Sequence, residues 1–189
     1  MIRFILIALV LLGATPSDPE DDMLVPVELQ LNIFSKVLTF DRTVEEKPGS
    51  ELVVGILYQP RVRGSYVAKD QMVQSISATE PTVHGKSLRA VPLVAASASE
   101  LAAAIQSQGI DVLYVTPLRA VSVAEFAVVT RQQSVLTLTG IPQFVEAGVS
   151  VGVGLNGDRP KILINAEAAR LEGARLQARL LKLAEIVGS

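Results

Sequence analysis

The apolar positions of the chain change period along its length. Val27, Leu31, Phe34 and Leu38 fall at i, i+4, i+7 and i+11, with Glu28, Asn32, Ser35 and Lys36 between them, which is the spacing of an amphipathic helix. A polar link from Asp41 to Ser50 follows. Leu52 to Tyr58 is then a continuous apolar run of strand length, as expected of a strand buried on both faces of a parallel sheet. Residues 65–79 have mixed helical periodicity. Leu88 to Ala95 reads as a second strand, and its Pro92 belongs at an edge or an end because proline cannot donate to a ladder.

Beyond Ser97 the alternation is clean. Ser97 with Glu100 forms a capping box for a helix that Gly109 closes, and Ser122 with Glu125 forms another for residues 123–132. Asp111 to Val115 and Ser134 to Leu138 are strands, and a short helix runs from Pro142 to Gly148. Strands and helices in this order predict an α/β fold, a mostly parallel sheet flanked by helices in a three-layer sandwich. The last third differs. Val149, Val151, Val153 and Leu155 alternate with Ser150, Gly152 and Gly154, Asn156-Gly157-Asp158 signals a turn, and Lys161 to Ile164 returns. That is a C-terminal antiparallel hairpin with one branched face and one nearly bare face that another element can approach closely. Asn165 starts a helix, Gly173 breaks it, and Leu176, Leu180, Leu183 and Val187 predict a terminal amphipathic helix.

The N-terminus reads as export machinery. Arg3 precedes an uncharged apolar run, Phe4 to Leu12, which rises only about 14 Å as a helix, half of a hydrocarbon core. Residues 1–17 are therefore expected to be a signal peptide, residues 18–24 a disordered acidic leader, and residues 25–189 a single domain. The export signal, buried strands and Ala/Leu-rich helices account for a hydrophobic content of 49% without a membrane domain.

Charge and residue counts narrow the chemistry. Among 189 residues, 17 Lys and Arg stand against 19 Asp and Glu, a net charge of -2 that argues against a nucleic-acid partner. The absence of cysteine excludes disulfides, thiolate metal sites and a cysteine nucleophile. The single histidine, His84, sits in a loop with no base partner placed by spacing, and Glu45-Glu46 lies in a linker. The G-V-G-L-N-G stretch at Gly152 to Gly157 precedes a strand, whereas a dinucleotide fingerprint must open a helix. No catalytic residue, metal site or cofactor is expected. Arg61 and Arg63, beyond a presumed parallel strand, are the best anion-binding candidates, with Thr116, Pro117, Thr139 and Gly140 after two other strands.

The C-terminal half carries a collective signal. Leu136 and Thr137, Phe144 and Gly148, Ile164 and Asn165, Ala168 and Ala169, and Leu180, Leu181, Leu183 and Ala184 stand in an order that resembles the YfiR-like family of bacterial periplasmic proteins. The likeness is strongest over residues 134–187. Thr139-Gly140 and Ala147-Gly148-Val149 depart from the family pattern, and the disulfides of its characterised branch have no counterpart here. The resemblance implies an α/β sandwich, a periplasmic location, a homodimer, and restraint of a membrane-bound signalling protein, a diguanylate cyclase or sensor kinase. The contacts expected for such a partner are Phe144, Val151, Val153, Leu155, Ile162 and Ile164, each equally explicable as core. The alternative is a small-ligand binding module that holds an anion or solute near Arg61, Arg63, Thr116 and Thr139.

Overall fold

The computed structural model describes residues 23–188. The expected signal peptide and all but the last two residues of the expected leader lie outside them. The expected α/β sandwich is present, built on one eight-stranded sheet. Helix α1 (Val27–Leu38) buries Val27, Leu31, Phe34 and Leu38, the stripe its spacing predicts. The link after it is not wholly irregular, because Arg42–Glu46 forms a short helix, α2, capped where the Asp41 side chain accepts from the Thr43 N–H. Strand β1 (Glu51–Leu57) leads through α3 (Arg63–Thr79) into a hairpin of β2 (Thr82–Val83) and β3 (Lys86–Leu93), whose tight turn is His84-Gly85. Helix α4 (Ala98–Gln108), β4 (Val112–Val115), α5 (Val123–Gln133) and β5 (Leu136–Thr139) follow. Both capping boxes form at least their first bond: Ser97 accepts from the Glu100 N–H and Ser122 from the Glu125 N–H.

Helix α6 (Pro142–Glu146) then precedes the antiparallel hairpin of β6 (Val151–Asn156) and β7 (Arg159–Ile164), whose register is unbroken. The chain ends in α7 (Ala166–Leu171), α8 (Ala178–Leu181) and β8 (Glu185–Ile186). The long terminal helix expected from Leu176 to Val187 is thus reduced to the single turn of α8. Glu185 and Ile186 instead pair in parallel with Leu163 and Ile164. The physical reason is that part of the outer edge of β7 would otherwise be bare backbone, which this tail covers.

The strand order is β2-β3-β1-β4-β5-β6-β7-β8, parallel except for the pairs β2–β3 and β6–β7. Alternating residues feed two cores. Leu52, Val54 and Ile56 join α1 and α3 on one face, while Val53 and Leu57 join α4 and α5 on the other. Both long edges carry proline at a residue whose backbone faces outward. Tyr58 N–H donates to the Leu93 carbonyl, so odd residues of β3 face β1 and Pro92 faces out. Likewise Val187 N–H donates to the Ile164 carbonyl, so Pro160 of β7 faces out. Each edge therefore lacks a donor where another strand would add, which hinders sheet-to-sheet association.

Candidate functional site

The hairpin is held from within. Val151, Val153 and Ile164, expected as partner contacts or equally as core, are fully buried in the core shared with α1. The physical reason is side-chain period. Alternate residues of β6 point into the sandwich, so the branched face is the core face. The bare face is where α6 lies: a Cβ on Gly152 would come within 2.3 Å of Val145 Cγ2, and one on Gly154 within 3.3 Å of Pro142. The close approach expected for the glycine face is therefore made by the chain itself. Leu155 stays 40% exposed, while Phe144 and Ile162 are partly buried at the rims of the two cores. Leu155 lines a shallow groove of about 290 Å³ with Leu24, Pro142, Leu163 and Val187, beside the Lys161–Glu185 ion pair.

The second candidate lies at the carboxyl ends of β1 and β4. These are the two strands between which the order reverses, since β1 leads outward to β3 and β4 leads outward to β5. Folds of this class bind ligands at that point. Here the loops bind each other. The Gln59 Nε2 donates to the Arg119 carbonyl at 2.8 Å, the Arg119 N–H donates to Gln59 Oε1 at 2.7 Å, and the Gln59 N–H donates to Ser65 Oγ at 2.8 Å. Thr116, fully buried, donates its hydroxyl to the Leu57 carbonyl and lies 2.6 Å from Ser65 Oγ. Thr139 is equally buried; it donates to the Val115 carbonyl and accepts from the Ile141 N–H. Gly140 leaves the space that Gln30 of α1 fills, where Gln30 accepts from the Tyr114 hydroxyl and donates to the Val25 carbonyl. Burial pushes the Tyr114 phenol above its ordinary value and keeps it neutral. Both threonine hydroxyls are thus spent inside the protein, and only Arg61 and Arg63 of the four expected ligand residues are exposed.

Sequence reasoning missed a third place, the amino ends of β5 and β6. Glu172, 2% exposed, accepts from the Thr137 N–H at 2.8 Å and from the hydroxyls of Thr130, Thr137 and Ser150. Burial raises its carboxyl above the usual range, against the pull of these donors. Nearby Asp111 accepts from the Val53 N–H and pairs with Lys47, and Asp41 accepts from the Arg175 N–H. The one sequence signal was indirect: Glu172 stands directly before the helix-breaking Gly173. No group of three or more His, Cys, Asp or Glu gathers as a metal site among the described residues.

Asn165 accepts from the Ala168 N–H, as its capping position predicts, and also ties α7 to α6 by donating to the Val145 carbonyl. Of the positions that carry the family resemblance, Leu136, Thr137, Gly148, Ile164, Asn165, Ala168, Ala169 and Leu180 are buried and serve the fold, whereas Phe144, Leu181 and Ala184 are half-buried and Leu183 is exposed. The profile of YfiR/HmsC-like proteins matches residues 46–185. The chain belongs to the YfiR/HmsC-like family. Membership supports a periplasmic regulatory role in general. No helix among the described residues is long and apolar enough to cross a membrane.

No curated protein matches this YfiR/HmsC-like chain. Solved structures do. A conserved domain protein from Vibrio cholerae O1 biovar eltor is 16% identical, with a TM-score of 0.62 over 86% of this chain and 60% of that one. An ABC domain in complex with L-Trp from Streptococcus pneumonia is 13% identical, with a TM-score of 0.62 over 86% and 62%. The ligand-free, open form of a substrate-binding protein with adhesive properties from Clostridium difficile is 16% identical, with a TM-score of 0.59 over 87% and 60%. This chain spans less than two thirds of each, and at these identities the likeness is one of fold.

Proposed function

We propose that this protein is a non-enzymatic periplasmic regulator that binds and restrains the external domain of a membrane signalling protein, a diguanylate cyclase or sensor kinase, and that it works as a homodimer. The observation that carries the reading is the YfiR/HmsC-like match across residues 46–185. Physically, such a regulator binds one conformation of its partner more tightly than the other and shifts the population between them. The loops at the strand-order reversal fasten to each other, which suits a protein that presents a rigid surface. Outward-facing Pro92 and Pro160 direct any dimer away from sheet-edge pairing and toward helix or loop faces. Deleting the gene and measuring cyclic di-GMP and kinase output tests the reading, together with co-purification of the tagged protein with a membrane enzyme. Unchanged outputs and recovery of no signalling protein would refute it.

The second reading is a small-ligand module. It is favoured by the substrate-binding fold and by exposed Arg61 and Arg63 at the strand-order reversal. An anion or solute at 100 times its dissociation constant stabilises the native state by about 2.7 kcal/mol, so thermal shift against a metabolite panel decides it.

A further inference from the structure

We infer that Arg61, Arg63, Tyr66 and Val67 form a docking surface for an acidic, partly apolar segment of a protein partner. Neither arginine side chain makes a hydrogen bond or ion pair among the described residues, and both stand exposed two residues apart at the start of α3. Arg63, Tyr66 and Val67 stand at i, i+3 and i+4 on α3 and so share a face. Tyr66 and Val67 are 45% and 43% exposed, large for side chains on a helix that could have turned them inward.

The aromatic is fixed in place before any partner arrives. Its ring meets Tyr58 edge-on at 6.3 Å between centroids, and Lys69 Nζ sits 4.1 Å from its centre. Asp70, the next acid along this face, is occupied by Lys69. The Gln59–Arg119 bonds and the Ser65–Thr116 contact hold the loop beneath it rigid. The result is a preorganised aromatic beside two unpaired guanidinium groups, the residue types that dominate binding energy in protein interfaces. Guanidinium groups select carboxylates bidentately, and the exposed apolar surface beside them selects an apolar neighbour on the same segment. Two arginines on a chain of net charge -2 are too few to hold a lipid surface, so a protein segment is the occupant.

This inference deepens the regulatory reading and rests on it for the partner being a protein. The probe is a fluorescein-labelled peptide that alternates Glu and Leu, titrated into the protein by anisotropy beside its Lys-for-Glu counterpart and phosphatidylglycerol vesicles. Expected are binding of the acidic peptide that weakens with salt, a loss of about tenfold or more in R61E/R63E, and partial retention in R61K/R63K. Tyr66→Ala should weaken it severalfold, and thermal melts should show no loss of stability in the arginine variants. Equal binding by wild type and R61E/R63E, equal binding of the basic peptide, or a preference for vesicles overturns the surface. The two proposals fail differently. If gene loss changes signalling output and R61E/R63E does not, the regulator stands and this surface falls. If gene loss changes nothing, the regulator falls whatever the peptide does.

Discussion

The two ends of the central strands solve the same problem with opposite chemistry. At the amino ends, carboxylates are drawn inward: Glu172 accepts from one backbone N–H and three hydroxyls, and Asp41 and Asp111 accept backbone N–H groups from other segments. At the carboxyl ends, neutral hydroxyls and an amide close the crevice, and the charges, Arg61 and Arg63, stay in solvent. Buried charge is tolerable where many donors meet it and costs heavily elsewhere. The amino end is therefore organised for cohesion. The carboxyl end, where this class of fold places ligands, is stapled at modest cost and leaves its charge free to meet something else.

Glu172→Ala is the largest way to break the contrast. It strands the Thr137 N–H and three hydroxyls in the interior, and the expected loss is about 3 kcal/mol or more in urea unfolding. A loss below about 1 kcal/mol would mean that the segment relaxes to admit water. Glu172→Gln asks which force wins at that end. Burial raises the native carboxyl, so its favourable contribution is complete below the unfolded pKa of about 4.3 and is lost as pH rises through the folded value. Wild-type stability relative to Glu172→Gln should therefore fall from acid toward neutral pH. A gap that instead widens with pH would show that the donors outweigh burial and hold the carboxylate ionised.

Much of the frame was legible in sequence, and the reasons are local. The α1 stripe, the two serine caps, the edge position of Pro92 and the bare face of Gly152 and Gly154 each follow from spacing or from one residue's stereochemistry. What failed was non-local. Leu176, Leu180, Leu183 and Val187 have helical spacing, but nothing among them reports that β7 leaves an edge free for Glu185 and Ile186. For the hairpin, alternation told which residues share a face but not which face the sandwich covers, so Val151, Val153 and Ile164 were open to two readings, partner contact or core, and they lie in the core. Glu172 was invisible because its four donors come from α5, β5 and the residue before β6 and meet only when folded. Of the residues expected at the strand-order reversal, the sequence located Thr116 and Thr139 correctly at strand ends, though not their inward-turned hydroxyls.

Thr116→Val measures how tightly the carboxyl end is stapled. The substitution keeps shape and removes one hydroxyl that serves the Leu57 carbonyl and meets Ser65, so about 1 to 2 kcal/mol should be lost. Slow hydrogen exchange at Gln59, whose N–H donates to Ser65, should quicken at the same time if the hydroxyls act as one unit. Loss of stability without that local effect would mean that Gln59 and Arg119 alone hold the loops.

The smallest effect is the most informative about the arginines. Arg63 is the first residue of α3, where the helix macrodipole is positive, Val62 supplies no side-chain cap, and no acid stands in the first turn. A cation there opposes the dipole, at a cost of about 0.3 to 1 kcal/mol for an exposed site at low salt. Arg63→Ala should therefore leave the protein as stable or raise it by a few tenths of a kcal/mol, and Arg63→Asp should raise it further, both gains shrinking as salt is added. A side chain whose removal strengthens the fold is not there for the fold, which places the reason for Arg63 outside this chain, in what its guanidinium meets. If Arg63→Ala instead destabilises by more than about 0.5 kcal/mol, the arginine is held by a contact of its own, and the contrast between a cohesive amino end and a charged, unengaged carboxyl end loses its sharpest element.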